Sequence, residues 1–114
     1  AHGNPTMLLH AATAPTAVLL ALPSLPERLW PDSFDAAWTA TAAVVAAYRP
    51  AEPAPAPQPR DGADDSWAHD SWERAVADGG EHIVKLADTA LSAVERTGDR
   101  VGLAAIDTAI RLEA

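Results

Sequence analysis

The sequence predicts an all-α fold, and three observations carry that prediction. Alanine makes up roughly a quarter of the 114 residues, apolar positions recur at three- and four-residue spacing, and β-branched runs with a period of two are missing. Prolines then mark where helices start and stop, with Pro50, Pro53, Pro55, Pro57 and Pro59 crowded into one stretch.

The first helix is expected over 6–14, with Asn4 as its cap and Pro5 in its first turn, where a missing N–H costs nothing. Pro15 removes a backbone donor and displaces the carbonyl one turn earlier, so a kink, or a break and restart, is expected before 16–22 continues to Pro23. A short helical turn over 24–30 leads to a helix at 34–48, capped by Asp32 or Ser33. Its stripe of Phe34, Ala37, Trp38, Thr41, Val44, Val45 and Tyr48 should pack on neighbours. Residues 50–62 read as a linker in extended polyproline II conformation, able to span on the order of 40 Å. Beyond it, Asp65 or Ser66 caps a helix running to about Asp78, and Gly79 and Gly80 end it. The helix from Glu81 to about Thr97 carries the strongest periodic signal, with Ile83, Leu86, Ala87, Ala90, Leu91 and Val94 on one face. Gly98 stops it, Asp99 caps, and Val101, Leu103, Ala104, Ile106, Ala109, Ile110 and Leu112 form the last helix. The expected organisation is amino-terminal helices at 1–49, the linker at 50–62 and carboxy-terminal helices at 63–114, all within one larger domain.

Composition narrows the function. A formal charge of -8 opposes binding to nucleic acid or anionic membranes, which requires clustered cations. Without cysteine there is no disulfide, zinc-thiolate site, iron-sulfur cluster or thiol nucleophile, so any metal must use histidine, carboxylate or a modified side chain. The apolar run 7–22 is 16 residues long, short of the roughly 20 needed to cross a bilayer, and no basic leader precedes it. It reads as buried core, with a cytoplasmic location and no membrane partner expected. Because the chain starts at Ala1, almost directly on this segment, it is expected to be a fragment of a longer protein.

Three side chains stand out as candidates for chemistry. With His82 at 0° on a wheel of about 100° per residue, Lys85 falls near 300° and the apolar stripe centres near 110°, so His82 and Lys85 share a face at the stripe's edge. A snorkelling lysine beside a hydrogen-bonded histidine accounts for that pair without function. His10 lies among apolar and small neighbours, where a buried imidazole needs partners: a carbonyl freed by Pro15, or a metal, or a proton to accept. Glu81 reads as a charge favoured by the helix amino terminus. His2 and His69 read as exposed, Asp64, Asp65, Asp70 and Asp78 as a solvated face, and Trp30, Trp38, Trp67 and Trp72 as core or an aromatic ligand pocket. No calcium loop, phosphate-binding glycine loop or GxSxG is present.

Met7-Leu-Leu-His-Ala-Ala-Thr-Ala-Pro-Thr-Ala17, then Leu22-Pro-Ser-Leu-Pro-Glu-Arg-Leu-Trp30, then Gly80-Glu-His-Ile-Val-Lys-Leu-Ala87 resemble the carboxy-terminal part of the questin oxidase-like family, in order and spacing, over nearly the whole chain apart from the proline linker. The resemblance implies an all-helical oxygenase roughly three times this length. It implies oxidative ring opening of polycyclic aromatic substrates such as anthraquinones, in polyketide metabolism, with dioxygen and non-haem Fe(II). It makes His10 and His82 metal ligands and Lys85 a carboxylated ligand, N6-carboxylysine. A carbamate supplies anionic oxygens suited to iron beside imidazole, where an ammonium would repel the metal. Further histidines would come from an upstream part of the same protein or from another chain, so the isolated 114 residues are expected not to complete the site. Two alternatives stand beside this reading: a metal-free, NADPH-dependent Baeyer-Villiger-type monooxygenase whose cofactor site lies upstream, since GxGxxG is missing here, and a non-catalytic helical module with structural His and Lys.

Overall fold

The computed structural model describes residues 4–52, 55–56 and 66–113. Its regular structure is helical, as expected: α1 (Pro5–Ala21), α2 (Trp30–Tyr48), α3 (Ser66–Asp78), α4 (Glu81–Thr97) and α5 (Val101–Glu113), with short 3-10 turns at Leu22–Ser24 and Glu27–Leu29. The chain divides into two compact units, Ala1–Ala54 and Pro55–Ala114. Most of the proline stretch, the capping role offered for Asp65, and the positions of His2 and Asp64 lie outside the described residues.

The first unit is a helical hairpin in which α1 packs on α2. Asn4 caps α1, its Oδ1 accepting the Met7 N–H at 3.0 Å, and Pro5 occupies the first turn. Pro15 does not divide the helix: α1 continues from Pro5 to Ala21. The ring removes one donor, that for the Ala11 carbonyl, and the neighbouring Thr16 hydroxyl donates to the Ala12 carbonyl at 3.1 Å within a run of good helix formers. The second helix starts at Trp30, four residues ahead of Phe34, so neither Asp32 nor Ser33 is its cap. Pro31 suits the first turn, Asp32 lies where the helix dipole favours a carboxylate, and the Trp30 indole N–H donates to the Leu25 carbonyl at 3.1 Å, fixing the entry. The hairpin closes where the Asn4 N–H donates to the Tyr48 carbonyl at 3.3 Å, which sets the two helices antiparallel.

The expectation that 7–22 is buried core is overturned, because no described residue of α1 or α2 is buried. Two helices cover only a line of each other, and a core needs a further layer. The expectation that Trp30 and Trp38 belong to a core fails for the same reason; Trp38 is 66% exposed. The expected length is corrected as well: Pro5–Ser24 makes 20 residues of mean hydropathy 1.4, long and apolar enough by length and composition to cross a membrane.

The second unit is a three-helix arrangement with each pair of α3, α4 and α5 in contact. Its core is Trp67, Ala75, Ile83, Ala87, Ala90, Leu103, Ala104 and Ile106. The α4 and α5 members are positions that the helical period placed inward, while Leu112, expected on the same face of α5, is exposed. Helices α4 and α5 approach closely at Gly102, where a Cβ would stand 3.2 Å from that of Ala90. Helix α4 ends at Gly98, whose φ of 73° is left-handed and whose N–H donates to the Val94 carbonyl at 2.8 Å; Asp99 Oδ1 then accepts from the Val101 N–H at 2.9 Å, as a cap should. A side chain at 98 meets open space, so only backbone strain opposes it. Gly98→Ala is expected to lower the stability of this unit by about 1 kcal/mol, read as a shift in the urea midpoint at unchanged m value.

Candidate functional site

The amino end of α4 is built by the two glycines before it. Gly79 takes a φ of 76° and donates its N–H to the Ala75 carbonyl at 3.2 Å, which ends α3. Gly80 donates to Asp78 Oδ1 at 3.1 Å and serves as the cap residue from which α4 departs. Glu81, His82 and Lys85 therefore all sit in the first two turns of one helix, next to the Ile83 position that anchors α4 in the core.

Glu81 draws the other two together. Lys85 Nζ donates to Glu81 Oε1 at 3.4 Å, and His82 Nε2 stands 3.6 Å from the same oxygen. A glutamate four residues ahead of a lysine is the favoured order for such a helical pair. This spacing was present in the sequence, and it gives Glu81 a second role beside that of favouring the helix terminus. The side chain of His82 is 30% exposed and that of Lys85 53%. The reading that both lie at the rim of the buried stripe thus needs correction for Lys85. At about 170° from the stripe's centre it faces away from the core, while His82, at about 110°, reaches the boundary.

His10 belongs to the first unit, on α1. It is half-buried and lines an apolar groove of about 210 Å³ with Ala11, Ala14, Ala40 and Val44. Thus each unit holds part of the expected set, His10 in one and His82 with Lys85 in the other. Among the described residues no group of three or more His, Asp or Glu is placed to hold a metal ion. Within the second unit the unmodified donors, one imidazole and one carboxylate beside an exposed lysine whose ammonium is no ligand, fall short of a ferrous iron site. Carboxylation would replace that ammonium by an anion beside Glu81, an arrangement that requires a cation between them.

The remaining sequence candidates are distributed without converging. His69, Asp70 and Asp78 are exposed on or next to α3, and Trp67 is buried with Trp72 packed partly against the core. The sequence offered no signal for the ion pair between Arg74 and Asp107, 33 residues apart and 2.6 Å in length, which ties α3 to α5. Compared with protein-family models, with curated proteins and with solved structures, the chain matches none.

Proposed function

We propose that the chain is a helical portion of an oxygenase similar to the questin oxidase-like family, acting with dioxygen and non-haem iron on a polycyclic aromatic substrate. The observation that carries this reading is the Glu-His-x-x-Lys segment on the first two turns of α4, where a single carboxylate stands within reach of both the His82 imidazole and the Lys85 amine. On this reading His82 and a carboxylated Lys85 contribute two donors from one helix, and the remaining histidine ligands come from outside α4.

A second reading is favoured by a specific observation. The 3.4 Å ion pair between Lys85 and Glu81, with both side chains exposed, is what a surface lysine in a non-catalytic helical module forms. Carbon-13 NMR of the full chain in labelled bicarbonate, together with titration by ferrous iron, separates the two. The oxygenase reading expects a carbamate resonance that vanishes in Lys85→Arg, and iron uptake that falls at least tenfold in His82→Ala. No carbamate resonance, with iron uptake equal in His82→Ala and the parent chain, favours the structural module instead.

A further inference from the structure

The hairpin of the first unit carries its large apolar side chains on one flank. Trp30, Phe34, Trp38, Val45 and Tyr48 fall within about 80° of one another around α2. Of these, Phe34 and Trp38, with Leu19 of α1, border a groove of about 250 Å³ between the helices, open to solvent and lined almost wholly by apolar atoms. Phe34 is 59% exposed, Trp38 66% and Leu19 43%. The opposite arc of α2 is different in kind: Asp32, Asp35, Ala36, Thr39, Ala43 and Ala46, all exposed.

This asymmetry selects the occupant. A helix crossing a bilayer needs apolar side chains around its circumference and one lying on its surface carries cations on its polar arc, whereas α2 presents two carboxylates and small residues away from the flank. One protein surface covering one flank meets that pattern. We propose that the surface is a second copy of this chain, the two hairpins pairing flank to flank as an isologous four-helix bundle. The exposed part of Leu19, Trp30, Phe34, Trp38, Val45 and Tyr48 amounts to on the order of 700 Å², close to the roughly 800 Å² per partner that a stable dimer buries. Antiparallel helices of similar length, 17 and 19 residues, are the halves from which such bundles are made by two-fold symmetry. The net charge of -8 makes two copies repel on average, but no Asp, Glu, Lys or Arg occurs among residues 5–26 or 36–48, so the two flanks meet without like charges in contact. The groove takes apolar side chains of the other copy, and Trp38 is the central anchor.

The test is sedimentation equilibrium of the full chain from low micromolar to near-millimolar concentration, with flotation on phosphatidylcholine and phosphatidylglycerol vesicles alongside. The expected result is a species of twice 11.9 kDa that does not float. Trp38→Glu is expected to raise the dissociation constant at least about 30-fold, the loss typical of a buried aromatic anchor. Asp35→Arg, on the opposite arc, leaves it within about threefold. Trp38→Ala, with helix content followed by circular dichroism, distinguishes lost association from lost folding. A monomer throughout the range, a dimer unchanged in both Trp38 variants, or flotation with vesicles in place of dimerisation overturns the proposal.

Discussion

Ile106→Ala is expected to remove most of the stability of the second unit. Ile106 is fully buried on α5, at the centre of a core that also takes Ile83 from α4 and Trp67 from α3. Truncation of such a side chain costs the transfer of three carbons and leaves a cavity, together about 3 to 4 kcal/mol. A helical unit of about 60 residues has a total stability of roughly 3 to 9 kcal/mol. The core can adapt only a little, because Ala75, Ala87, Ala90 and Ala104 already surround it with side chains too short to move inward. In a background where Trp30 and Trp38 are phenylalanine, fluorescence of Trp67 and Trp72 follows this unit alone, and the urea midpoint should fall by more than half or the folded baseline disappear. Leu112→Ala, at a position 72% exposed on the same helix, is expected to change stability by less than about 0.5 kcal/mol. Equal losses in the two variants would mean that α5 does not hold the core in the way described.

That contrast also shows what could be read from the residues. Helix α4 was legible to its ends because two independent signals agree there: a strict three-four apolar period between Ile83 and Val94, and glycines at 79 and 98 whose backbone freedom stops helices. The start of α2 was misplaced because Asp32 and Ser33 are good caps in isolation and outweighed Pro31, whose seat in the first turn behind Trp30 is the same signal that Pro5 gives α1. The apolar run through α1 was mistaken for core because hydrophobicity states that a surface seeks cover, not that the chain supplies it. For the site, spacing placed His82 and Lys85 on one helix, and it contained the Glu81 to Lys85 pair as well. It could not state how His10 relates to them, because periodicity describes single helices and the two units are separated by a stretch with no period at all.

Arg74→Ala is expected to cost more than Asp107→Asn, although both break the same ion pair. The two ends lie in different surroundings: the Asp107 side chain is 10% exposed and that of Arg74 41%. Loss of the guanidinium takes from a largely buried carboxylate the cation that it meets at 2.6 Å, at a cost of about 2 to 3 kcal/mol. Loss of the carboxylate charge leaves a guanidinium that can turn toward water, and the asparagine amide keeps the shape and a hydrogen-bonding oxygen, so about 1 kcal/mol is expected. An apolar pair, Arg74→Met with Asp107→Leu, should recover stability to within about 1 kcal/mol of the parent, since neither charge then has to be desolvated. Urea unfolding of the parent, Arg74→Met, Asp107→Leu and the double variant closes a double-mutant cycle, and its coupling should persist at high salt because the carboxylate is shielded from solvent ions. If Asp107→Asn were the costlier change, or the coupling vanished in salt, the pair would be a surface attraction and the join between α3 and α5 would rest on the apolar core around Trp67, Ala75, Leu103 and Ile106.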